Sequence, residues 1–153
     1  MPRLMQIFAQ FRREERGAVL AEAIIVIPFV TIFTAGILEF GNMFWQKEQI
    51  ETGLRDAARY LARCQTNPSF AANCNQTVAL NIAYYGTALP GDGTPLRVPG
   101  WGPDASEITI SEPVAGVIRL ATGHDYESSP LFGWLGISAI TIEAYHDQRY
   151  IGW

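Results

Sequence analysis

Charge gives way to an almost unbroken apolar run just after Arg16. From Ala18 to Trp45 the chain reads AVLAEAIIVIPFVTIFTAGILEFGNMFW, and Glu22 and Glu39 are its only charged residues. As a helix this run would be about 42 Å long, against roughly 30 Å of bilayer hydrocarbon. It predicts a transmembrane helix over residues 18–45. A buried helix of a globular core would need more surrounding protein than the rest of the chain supplies. A removable secretory signal would need a shorter apolar core followed by a small-x-small site.

Beyond Trp45 the pattern becomes amphipathic. Ile50, Leu54, Ala57, Ala58 and Leu61 recur at helical spacing and mark one face. One helix is therefore predicted from about Ala18 to Cys64, half in lipid and half outside. Pro28 lacks a backbone donor and should kink the membrane half. Gly36, Gly41 and Gly53 lower its stiffness further. Ahead of the run, Leu4, Ile7, Phe8 and Phe11 suggest a short amphipathic helix on the membrane surface.

A second helix is predicted over residues 68–85, capped by Asn67, with Pro68 in its first turn and Gly86 as its stop. Residues 86–103 hold five Gly and four Pro and read as a loop, with Trp101 placed to pin it down. The period then changes to two in EITIS, GVIRLAT and AITIEAYH. The fold class is α+β: a long N-terminal transmembrane helix continues into a small extracytoplasmic domain with a second helix and a three- or four-stranded antiparallel sheet. The exposed half of the first helix and the second helix would cover the sheet's apolar face. The divisions are a basic leader at 1–17, the transmembrane helix at 18–45 and the α+β domain at 46–153.

Charge gives the orientation. Residues 1–17 carry four Arg (Arg3, Arg12, Arg13, Arg16) against two Glu. By the positive-inside rule this end is cytoplasmic, and residues 46–153 lie across the membrane. The net charge of −4 gives no reason to expect nucleic acid as a partner. Cys64 and Cys74 are the only cysteines, with nine residues between them. In an oxidising compartment they can pair, at a gain of roughly 3 kcal/mol from loop closure. The other reading is two separate buried thiols.

Candidate chemistry is sparse. Two cysteines are too few for a zinc site, and neither histidine sits at ligand spacing, so no metal and no cofactor is expected. His124-Asp125 and His146-Asp147 would need to converge with a further acid to do acid–base work; the plainer reading is polar strand ends. The Gly/Pro loop lacks the Lys-Ser/Thr of a phosphate cradle. Asn75-Gln76-Thr77 matches a glycosylation sequon and is read as chance. Glu22 stands out, because a carboxylate within a membrane segment is a functional candidate by default. A cut after Gly17 would leave a positive α-amino group on Ala18, four residues before that carboxylate.

These residues carry a resemblance. A basic leader, Gly17, a small Ala18 and an acid at the fifth position after the glycine resemble the processing pattern of prepilins. Arg16-Gly17-Ala18, Glu22, Pro28, Glu39-Phe40-Gly41 and Ala57-Ala58-Arg59, in that order, resemble TadE-like proteins, minor pilins or pseudopilins of tight-adherence (Flp) pilus systems. TadF-like and TadG-like families share the same anchor design. The resemblance spans about residues 12–63. It implies a pilin-like fold, cleavage after Gly17 by prepilin peptidase, and no catalysis. It implies as partners the other pilins and minor pilins, the inner-membrane assembly platform and membrane lipid. It implies that Glu22 pairs with an N-terminal amine during subunit docking and that Pro28 lets the helix change shape. Two other readings stay open at this stage. One is an uncleaved, membrane-tethered binding or adhesion module of the envelope; the other is an anchored enzyme using His124 and His146.

Overall fold

A computed structural model describes residues 15–64, 75–126, 133, 136 and 140–151. Helix α1 (Glu15–Ala62) is followed by helix α2 (Gln76–Tyr85) and strands β1 (Ile108–Val114), β2 (Val117–Tyr126) and β3 (Ile140–Arg149). The fold class is α+β, as the change of period from 3.6 to two requires. The amphipathic helix expected near residues 4–11 lies outside the described residues.

α1 is 48 residues long and passes through Pro28 without a break in helical assignment. The missing Pro28 N–H would otherwise bond to the carbonyl of Ile24. Three residues on, the Thr31 hydroxyl donates to the Ile27 carbonyl at 2.7 Å, a back-bond that also favours bending. The chain divides into two compact units at Phe40 and Gly41. In the first, the apolar side chains of α1 are exposed, from Val19 through Phe40. An 18-residue window of the helix has mean hydropathy 2.3 and nothing buried, so α1 is long and apolar enough to cross a bilayer.

In the second unit the rest of α1 is a core element. Ile50, Leu54, Ala57, Ala58 and Ala62 are buried. They join Ala79, Ala83 and Tyr84 of α2 and Ile108, Leu120, Tyr126, Ile142 and Ala144 of the sheet, except Ala62, in one cluster. Small residues on both helices let their backbones come close. The approach is tightest at Gly53, where a Cβ would lie 2.6 Å from the Ala83 carbonyl oxygen and 2.9 Å from the Trp101 ring. Gly53 is thus there for packing, not for a softer helix.

α2 starts later than the Asn67-Pro68 signal suggests. Asn75 is extended (φ −98°, ψ 126°), and its side chain accepts from the Thr77 amide at 2.9 Å. That cap satisfies a first-turn amide with no partner inside the helix. It also gives the Asn-Gln-Thr triplet a structural use. Asn67 and Pro68 lie outside the described residues. Gly86 ends α2 in the left-handed region at φ 74°, its amide bonded to the Ile82 carbonyl, as its glycine allows.

Trp101 does pin the Gly/Pro loop. It is fully buried, edge-on to Tyr84 with ring centroids 5.0 Å apart, and its Nε1 donates to Thr122 Oγ1 at 3.2 Å. The Tyr84 hydroxyl donates to the Asp104 carbonyl at 2.7 Å. Burial pushes that hydroxyl's pKa up, and the nearby Glu107 and Asp104 charges add to the effect. Arg97 ties the loop to α1 through Asp56 Oδ2 at 2.8 Å.

The sheet has three antiparallel strands in the order β1-β2-β3. Alternation places Leu120, Thr122, His124 and Tyr126 on the buried side of β2. Arg119, paired with Asp147, belongs to the outer side. The residues that follow β3 are stitched back onto the protein. Tyr150 N–H donates to the Gly116 carbonyl and Ile151 N–H to the Ala62 carbonyl, both at 2.9 Å. The Tyr150 hydroxyl donates to the Cys64 carbonyl. Carbonyls at the end of α1 that lack helical partners are satisfied in this way.

Candidate functional site

The candidate residues lie along α1. Gly17, Ala18 and Glu22 are exposed, in the first turns of a helix that begins at Glu15. Ala18 and Glu22 are four apart and so share a helix face. Gly17 has no packing reason to be glycine. A Cβ there would meet nothing within 4 Å, and its φ is not in the left-handed region. Pro28 is exposed within the apolar run.

Glu39, Phe40 and Gly41 fall where the two compact units divide. Phe40 is exposed, whereas Glu39 is only 7% exposed. Two further polar residues on α1 escaped the sequence reading. Asn42 Nδ2 donates to the Tyr126 hydroxyl at 3.0 Å. Gln46 is buried, and its Oε1 has no hydrogen-bond partner among the described residues. The spacing of Glu39, Asn42 and Gln46, i, i+3 and i+7, was the signal that could have found them.

Cys64 follows α1, and its amide bonds to the Leu61 carbonyl at 3.1 Å. Cys74 lies outside the described residues, and with it the expected pairing. The two histidines share the inner side of the sheet. His124 is opposite Ile142 and His146 opposite Leu120. Four residues of strand, about 13 Å, separate those two pairs. His124 is buried rather than a polar strand end, because the inward alternation of β2 continues through it to Tyr126. Asp125 and Asp147 point to the other side, where Asp125 accepts from Thr141 and Asp147 from Arg119. The convergence an anchored enzyme would need is not built by these strands. Among the described residues no group of three or more His, Cys, Asp or Glu could hold a metal ion.

What α1 offers is a surface. It presents an exposed apolar helix with the exposed acid Glu22 near its start, continuous with a helix that joins a packed core. No curated protein and no solved structure is significantly similar to the chain. A family model described as TadE-like protein matches residues 17–59. The matched segment begins at Gly17 and contains Ala18, Glu22, Pro28, Glu39-Phe40-Gly41 and Ala57-Ala58-Arg59, so over residues 17–59 the chain is similar to the TadE-like family.

Proposed function

We propose that this chain is a minor pilin or pseudopilin, a non-catalytic structural component needed to assemble tight-adherence (Flp, type IVc) pili. Prepilin peptidase cuts it after Gly17. Before assembly it is a single-pass protein of the bacterial inner membrane, with its leader in the cytoplasm and its α+β domain outside. Its partners are the peptidase, the other pilins of the fibre, the inner-membrane assembly platform and the surrounding lipid.

The observation that carries this reading is the TadE-like match over residues 17–59, which starts at the proposed cut. The geometry supplies a mechanism. Cleavage leaves an ammonium on Ala18, one turn before Glu22 on the same helix face. In a poorly screened apolar setting the carboxylate pairs with that ammonium, its own or a neighbour's. A subunit entering the fibre thereby docks at a set height, because a stranded charge costs about 3–5 kcal/mol. Pro28 lets the apolar helix bend as it passes from bilayer to fibre. Gly17, which no contact in the fold requires, serves the peptidase.

Glu22→Ala tests this reading. The variant is expected to be cleaved as well as the native chain but to enter sheared pili at a tenth of its level or less, on the order of the pairing energy lost. Normal incorporation of Glu22→Ala would contradict it.

A further inference from the structure

Strand register sets two carboxylates of β3 in matching places on the outer side of the sheet. Asp147 is opposite Arg119 of β2, Tyr145 opposite Ala121, and Glu143 opposite Gly123. Alternation turns all three of these β3 side chains away from the core. Asp147 has its cation. Arg119 grips it at 2.6 Å and lies over the Tyr145 ring, 5.0 Å from the centroid. Glu143 stands as far from Tyr145 along the strand, on its other side, but faces a residue with no side chain. It forms no ion pair among the described residues.

The fold gives Gly123 no reason to be glycine. Its φ is not left-handed, and an added Cβ would meet only Thr141 Cγ2, at an ordinary 3.6 Å. Glycine inside a strand weakens it and often marks a place where another chain or a ligand approaches closely. Here Gly123 and Ala121 floor a depression of about 460 Å³, with Thr109, Glu143 and Tyr145 among its walls. The Tyr145 ring is left 67% exposed.

The same compact unit carries unpaired cations on another surface. Arg55 and Arg59 are exposed, one turn apart, on the face of α1 opposite the buried Ile50, Leu54 and Ala58. Arg63, also exposed, follows one turn later. None of the three forms an ion pair among the described residues. Both surfaces point away from one core, so a single chain cannot join them. We infer that a second copy of this chain docks the exposed arginine row of its α1 on the outer face of the sheet, with Arg59 seated over Gly123 against Glu143 and Tyr145. Its guanidinium fork would hold Glu143 as Arg119 holds Asp147. Arginines one turn apart advance about 6 Å along a helix, and alternate residues of a strand about 6.6 Å, so a neighbouring arginine then stands over Asp125. Two different patches meet, so the contact is head-to-tail and can extend from copy to copy. Helix against helix would instead set arginine on arginine. The contact requires neither cleavage after Gly17 nor a bilayer, so its failure would leave the pilin reading standing.

The test uses the full chain in detergent micelles and analytical ultracentrifugation. The native chain is expected to self-associate. Glu143→Arg or Arg59→Glu alone should weaken association by roughly tenfold or more, because each sets like charges together. Gly123→Val, which strand propensity favours, should keep its melting temperature and still lose association. An equal mixture of the Glu143→Arg and Arg59→Glu chains should form mixed dimers, since each supplies the surface that the other lacks; misfolded variants would not recover in this way. A native chain that stays monomeric at every concentration overturns the inference. So does a mixture that fails to recover association, or self-association that neither single variant weakens, which would assign the contact to the apolar part of α1.

Discussion

The α-carbon of Gly53 faces the carbonyl of Ala83, so closely that a methyl group built on it would sit 2.6 Å from that oxygen. Helix propensity argues the other way, since alanine in mid-helix is favoured over glycine by about 1 kcal/mol. The contact decides, because neither a backbone carbonyl nor the buried Trp101 ring can step aside cheaply. Gly53→Ala is expected to destabilise the domain by about 1–3 kcal/mol, the usual cost of overpacking. Denaturant unfolding of the full chain in detergent, followed by tryptophan fluorescence, checks it. Gly36→Ala, at a site with open space around it, should be neutral or better.

Thr122 gives the buried Trp101 N–H its acceptor. Thr122→Val keeps the shape and removes the oxygen. An indole donor left unsatisfied should cost about 1–3 kcal/mol in the same unfolding measurement. Thr122→Ser, which keeps the acceptor, should recover most of the hydrogen bond's share.

Acid should loosen the sheet through one ion pair. Arg119 grips Asp147 with two parallel hydrogen bonds of 2.6 Å. Hydrogen bonding from Arg119 holds the Asp147 carboxyl below its ordinary value of 3.8. Because the folded pKa is depressed, the pair's stabilisation is fully present above the unfolded value and is lost as pH falls through the folded one. The melting temperature of the native chain should therefore exceed that of Asp147→Asn by a constant margin from neutral pH down to about 4, and the margin should close at lower pH. A margin that persists unchanged at pH 2 would contradict this assignment.

Cys64 lies on the extracytoplasmic side of the proposed topology. Pairing with Cys74 would close a short loop between the end of α1 and the approach to α2, adding roughly 3 kcal/mol. Peptide mapping of material made with periplasmic export should find the two cysteines linked and refractory to alkylation until reduced. Two alkylatable thiols in that material would leave the helices joined by packing alone.

Much of this architecture is legible locally. The apolar run, the Ile50–Leu61 stripe, the Gly86 stop and the period-two strands each follow from short-range rules that need no partner. Gly53 reads only as a weak helix residue until Ala83 and Trp101 arrive from distant parts of the chain. The start of α2 is ambiguous because two asparagines compete as caps, and Asn75 holds a cap in the fold. Asn42 and Gln46 look like ordinary polar residues at the end of the apolar run; the hydrogen bond to Tyr126, 84 residues away, and the burial of Gln46 exist only in three dimensions. Gly17 and Glu22 show the reverse. Sequence singles them out, one before an apolar run and one as an acid within it, whereas the fold gives no packing reason for glycine at 17.

Cleavage between Gly17 and Ala18 bears most directly on the proposed function. The intact mass of the membrane-extracted protein should correspond to a chain starting at Ala18. Gly17→Leu should fold unchanged, since a side chain there meets open space, yet keep the full leader. An uncut native chain starting at Met1, in cells with active prepilin peptidase, would contradict the pilin reading. It would leave Glu22 without its ammonium and return the protein to a tethered module of the envelope.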